Sequence, residues 1–106
     1  MTEIVERARY LIKSSYSSTP CNQLCNYAWY GSKTGGGNKL AKAWAQLPGV
    51  AAFPGCVIVG TDGKHCGIWT GQDSIVHSSF SLDRVEEVNA SQAKYIFPQG
   101  YKFVRG

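Results

Sequence analysis

The stretch Pro54-Gly55-Cys56-Val57-Ile58-Val59-Gly60-Thr61-Asp62-Gly63-Lys64-His65-Cys66-Gly67-Ile68-Trp69-Thr70 decides how this chain folds. An apolar run opened by Pro-Gly leads into Asp62-Gly63, a pair that supplies the backbone freedom of a tight turn, and a second segment then returns. The reading is a β-hairpin whose return strand runs from His65 to Thr70. Gly71-Gln72-Asp73 marks another turn, with Ser74-Ile75-Val76-His77 as the next strand. Lys94 to Phe97 and Tyr101 to Val104 read as further edge strands.

Upstream of the hairpin the apolar period changes. Ile4, Ala8, Leu11 and Ile12 fall on one stripe of a helix over Glu3 to Lys13, with Thr2 as its cap. Ser14 to Ser18 form a polar break. Thr19 then serves as N-cap and Pro20 as the first helical position, where a missing N–H is harmless, so a second helix gets under way at Cys21. Its buried side is Cys21, Leu24, Cys25 and Ala28, and it ends near Tyr30 before Gly31. The tract Gly31-Ser32-Lys33-Thr34-Gly35-Gly36-Gly37 is not a phosphate-binding loop, because it follows a helix rather than a strand and lacks the Gly-Lys-Ser/Thr order. It reads as a flexible connector. A short helix over Lys39 to Gln46 follows, with Leu40, Trp44 and Leu47 on one side, and Pro48-Gly49 stops it. Helices first and an antiparallel sheet second define an α+β fold.

A length of 106 residues holds a single domain, 1–106, and excludes a large multidomain enzyme. With 43% apolar and 12% aromatic residues the chain can build a core, which excludes disorder. Eleven Lys and Arg against seven Asp and Glu leave a charge of +4, compatible with nucleic acid, a membrane surface or a cell wall as an anionic neighbour. Met1 to Lys13 carries Glu3, Glu6, Arg7 and Arg9 among its apolar residues, so a secretory signal is not expected, and neither is a membrane-inserted segment.

Four cysteines, Cys21, Cys25, Cys56 and Cys66, allow two disulfides, a zinc site, inert core thiols, or one nucleophile with bystanders. Cys56 and Cys66 flank a hairpin turn, which is poor spacing for a zinc knuckle. Cys21 opens a helix, where unpaired N–H groups and the helix dipole favour a thiolate, while Cys25 lies one turn deeper, where desolvation keeps it inert. A small core thiol is the plain alternative for Cys21. The two histidines decide against it: His65 opens the return strand of the hairpin and His77 ends the next. Two imidazoles on neighbouring strands facing a helix-borne cysteine supply a base and the group that orients it. His65 is expected to take the thiol proton and His77 to hold the His65 ring. This chemistry needs neither a metal nor a cofactor.

Taken in order, Cys21-Asn22-Gln23-Leu24-Cys25-Asn26-Tyr27-Ala28-Trp29, Pro54-Gly55-Cys56-Val57-Ile58-Val59, His65-Cys66-Gly67-Ile68-Trp69-Thr70-Gly71 and Ile75-Val76-His77-Ser78-Ser79 resemble the NlpC-type cell-wall cysteine peptidases over most of the chain. Tyr101-Lys102-Phe103-Val104-Arg105 is similar to the last strand of that family. The resemblance implies a compressed papain-like fold with Cys21 as nucleophile, His65 as base and His77 as the third polar residue. It also implies an upstream tyrosine whose hydroxyl helps bind the oxyanion, for which Tyr16 is the candidate and Tyr10 the rival. The chain departs from the family at Pro20-Cys21-Asn22-Gln23, where Asp-Cys-Ser-Gly is usual, and it lacks the Trp-Gly-Gly segment after the tyrosine, which implies a more open cleft.

The resemblance further implies hydrolysis of peptidoglycan stem peptides, typically between D-glutamate and diaminopimelate, through a thioester. A free-standing domain of this size looks like an amidase effector delivered to rival bacteria, for instance by type VI secretion, or like a phage lysin. It would be made in the cytoplasm and act in the periplasm or cell wall, and an effector would have a cognate immunity protein as partner. A papain-like acyltransferase or deamidase acting on a protein shares the same nucleophile and base. A small basic nucleic-acid-binding module is the competing class, but the basic residues are dispersed and most aromatics fall in apolar elements, so nucleic acid is not expected as a partner.

Overall fold

A computed structural model describes the backbone of residues 2–106 and the side chains of 3–106, so the cap expected from the Thr2 side chain lies outside the described residues. The hairpin forms as the sequence dictates. Strand β1 (Val57–Gly60) pairs antiparallel with β2 (Cys66–Trp69) in the register Val57↔Ile68, Ile58↔Gly67 and Val59↔Cys66. Gly63 turns the chain at φ 72°, donating its N–H to the Gly60 carbonyl at 2.9 Å, and the Asp62 carboxylate accepts from the Lys64 N–H at 3.1 Å. Strand β3 (Ser74–Ser79) lies beside β2, β4 (Arg84–Asn89) beside β3, and β5 (Tyr101–Val104) beside β1. The sheet order is β4-β3-β2-β1-β5, antiparallel throughout.

Both faces of this sheet are covered, which is why Val57-Ile58-Val59 is an unbroken apolar run. Val57, Val59, Cys66, Ile68, Val76, Val85 and Val104 point to one side, where they meet Ile4, Ala8, Leu24, Cys25, Ala28 and Trp44 from the helices. Ile58 and Ile75 point to the other and meet Ala93 and Phe97. The helices are α1 (Thr2–Tyr10), α2 (Cys21–Tyr30), the single turn α3 (Gly35–Asn38), α4 (Ala41–Ala45) and α5 (Ala93–Ile96). Among the described residues no helix is long and apolar enough to cross a membrane. The molecule is therefore α+β, helices N-terminal and sheet C-terminal.

Several local expectations need correction. The first helix stops at Tyr10 rather than Lys13: Lys13 turns at φ 76°, and the Lys13 N–H and Ser14 carbonyl bond across to Val85 at 2.9 and 2.8 Å. The N-cap of α2 is Pro20, not Thr19, because Pro20 is extended at ψ 167°, and the Thr19 hydroxyl is left buried with no partner. Gly31 does end α2, at φ 79° with its N–H on the Tyr27 carbonyl. The glycine tract is not simply a connector, since Gly35–Asn38 makes a turn with Gly36 and Gly37 left-handed. Leu40 precedes α4 in extended conformation and is exposed, and Ala41 takes the buried place beside Trp44. Lys94 to Ile96 belongs to helix α5, with Phe97 as its C-cap, and is not a strand. The strand the sequence reading lacked is β4.

Candidate active site

Helix α2 positions Cys21 as its first residue. Pro20 lacks an N–H, and its carbonyl accepts from the Leu24 N–H at 3.1 Å, so the helix begins with Cys21 pinned at the sheet surface. Cys21 is 8% exposed, whereas Cys25 and Cys66 are wholly buried. Cys21 and Cys25 lie one turn apart on the same face of α2, and Cys66 faces them from β2. The Cys66 thiol lies close enough to both to act on their protons. All four cysteines are free thiols, and among the described residues no three or more His, Cys, Asp or Glu side chains are grouped to hold a metal ion.

The histidines meet because of strand register. Gly67 stands opposite His77 across β2 and β3, and His65, two residues before Gly67, shares its face. With no side chain at Gly67 the two imidazoles close on each other. His65 Nε2 lies 3.1 Å from His77 Nδ1 with the rings perpendicular, and the His65 ring also rests against Phe97 at 5.5 Å. On its far side His77 Nε2 is 3.3 Å from a carboxylate oxygen of Glu86, the residue facing His77 on β4. His65 also contacts the Cys21 thiol. Cys21, His65, His77 and Glu86 thus form a continuous row across the end of the sheet.

The electrostatics of the row correct one expectation. The helix N-terminus does not leave Cys21 with a depressed pKa: the hydrogen bond with Cys66 and burial push its thiol well up, and His65 pulls in the opposite direction without prevailing. Cys66 is also held well above the usual thiol range, where its bond to Cys25 and its burial outweigh the lowering effect of Cys21. Burial drives His77 down to about 4, so it is neutral at neutral pH. The resting pair is a neutral thiol beside an imidazole, suited to transferring the proton as the nucleophile attacks.

A cleft of roughly 350 Å³ opens beside the histidines, bounded by His65, His77, Phe80 and Tyr95. Tyr16 packs edge-on against Phe80 at 5.3 Å and is anchored by its backbone N–H to the Asp83 carboxylate at 3.1 Å. Tyr10 is 78% exposed and rests against Tyr27. Of the residues singled out from sequence, Cys21, His65 and His77 are therefore brought together, the two histidines line the cleft, and Tyr16 stands behind Phe80, outside its lining. Two neighbours were not foreseen. Cys66 was legible in principle, because it follows His65 and strand alternation turns it toward the helix. Glu86 was not, because its strand was missing from the reading. Compared with models of known protein families the chain matches none, and no curated protein is significantly similar to it.

Proposed function

We propose that this chain is a papain-like cysteine peptidase of the NlpC type that hydrolyses amide bonds in the stem peptides of peptidoglycan, typically that between D-glutamate and diaminopimelate. The observation that carries the reading is the contact row from Cys21 through His65 to His77, with the His65–His77 nitrogens at 3.1 Å. Its order along the chain agrees with the family resemblance. In this reading His65 takes the Cys21 proton as the sulfur attacks the scissile carbonyl, then returns it to the leaving amine, and water releases the thioester. The Cys21 N–H, at the start of α2 where no intrahelical acceptor exists, and the Tyr16 hydroxyl serve the developing oxyanion. The protein acts in the periplasm or cell wall, as an effector delivered to a target bacterium and restrained in its producer by an immunity protein, or as a phage lysin.

The test is mass spectrometry of muropeptides from purified sacculi incubated with the protein. Products cut at a stem-peptide amide are expected, with Cys21→Ala and His65→Ala reducing their rate by about a thousandfold or more while Cys25→Ala retains it. Unchanged muropeptides with the wild-type chain would overturn the substrate. Equal activity in Cys21→Ala would overturn the mechanism.

A further inference from the structure

We infer that Glu86 is a positioning residue that, acting through His77, fixes which nitrogen of His65 is free to accept the Cys21 proton. This rests on the reading of Cys21 and His65 as the reacting pair. The geometry poses a choice. His65 Nε2 and His77 Nδ1 lie 3.1 Å apart, so one must donate and the other accept. If His77 Nδ1 carries the hydrogen, His65 spends its Nε2 lone pair on His77 and holds its own hydrogen on Nδ1, so neither nitrogen is free to take the thiol proton. If His65 Nε2 carries the hydrogen, Nδ1 is left as a lone pair and the base is armed. Nothing within the two rings prefers one arrangement.

Glu86 breaks the tie. In the unproductive arrangement the unprotonated Nε2 of His77 would face the Glu86 carboxylate at 3.3 Å, lone pair against anion. In the productive one His77 carries its hydrogen on Nε2 and presents that positive edge to the carboxylate, an attraction in place of a repulsion. The preference is transmitted because His77 is neutral and has one proton to place. Register makes the contact a consequence of the fold, since Glu86 stands directly opposite His77 in the β3–β4 pairing. Arg84 lies 3.9 Å from the other carboxylate oxygen, which leaves the first for the imidazole. The remaining charged groups along that edge are Lys13 and Glu87, and the carboxylate of Glu87 is taken up by Arg9 at 2.9 Å. When Cys21 ionises, its proton settles on His65 Nδ1, the His65 Nε2 hydrogen stays directed at His77, and Glu86 gains no proton.

The experiment uses the full chain and reads the rings directly. Long-range ¹⁵N–¹H spectra at neutral pH should show His65 and His77 both protonated at Nε2. In Glu86→Ala the two rings should populate a mixture of tautomers, and alkylation of Cys21 by iodoacetamide should slow by about tenfold with an altered pH profile, while KM for a muropeptide substrate changes little. Glu86→Gln, whose amide oxygen still accepts from His77, should restore most of the alkylation rate. A wild-type His65 protonated at Nδ1 would overturn the inference, as would tautomers and alkylation in Glu86→Ala identical to wild type. Neither readout depends on the natural substrate, so tautomers that shift as expected in a protein inert toward sacculi would sink the peptidoglycan reading and leave this one standing.

Discussion

Cys21 is held between two neighbours that act on its proton in opposite senses. The hydrogen bond with the Cys66 sulfur stabilises the protonated thiol and outweighs the pull of His65. Replacing Cys66 by Ala removes the largest of the effects that raise Cys21, so its thiol should ionise at lower pH and react several-fold faster with iodoacetamide near neutrality. A pH series of alkylation rates on Cys66→Ala checks this, and a profile superimposable on wild type would show that Cys66 does not govern the Cys21 thiol. At this scale the sequence was informative about identity and weaker about environment. Cys21, His65 and His77 could be named because few residue types do this chemistry and the chain holds only two histidines. The raised thiol could not, because it follows from Cys66 on β2 packing directly beneath Cys21 of α2, a contact between residues far apart in the chain.

Element by element, the hairpin and α2 were legible because local signals mark them: Asp62-Gly63 for the turn, Pro20 before the helix and Gly31 after it. Strand β4 was not. Arg84-Val85-Glu86-Glu87-Val88-Asn89 looks solvated, and it is a strand because Val85 and Val88 find the sheet while Glu87 bonds Arg9 and Ser74 at its edge. Tyr95-Ile96-Phe97 looks β-forming, yet the Asn89 side chain accepts from the Ser91 N–H at 2.8 Å and turns the chain into α5, whose Ala93 and Phe97, four apart, cover Ile58 and Ile75. The element that sets the site is the β2–β3 pairing at Gly67. A Cβ there would stand 2.8 Å from the Val76 carbonyl and 3.1 Å from the His77 Cβ, so Gly67→Ala must push β3 aside. We expect a loss of about 1–3 kcal/mol in urea unfolding and, at temperatures where the variant is folded, loss of the coupling between the two imidazole signals in NMR. A variant as stable as wild type with both rings still in contact would mean that the strands absorb the added carbon without moving the histidines.

On the scale of the whole molecule, the α+β arrangement was legible from the order of periodicities, helical before the glycine tract and strand-like after it. What that order did not reveal is that the sheet is covered on both faces, and this coverage shapes how the protein responds to acid. His77 is only 6% exposed, so folding lowers its pKa from the ordinary 6.5 to about 4. Between those values the unfolded chain binds a proton that the folded protein does not. Stability contributed by the neutral ring is therefore fully present above pH 6.5 and declines as pH falls toward 4, by about 3 kcal/mol over the window. The ion pair of Arg9 with Glu87, which holds that carboxylate below its usual range, is lost only at still lower pH, so the two contributions separate along the pH axis. Urea unfolding of wild type at pH 7 and pH 4.5 should show the decline, and His77→Gln, which fills the same place without titrating there, should show a flatter dependence. Equal slopes in the two proteins would mean that His77 is solvated enough to take up its proton in the native state.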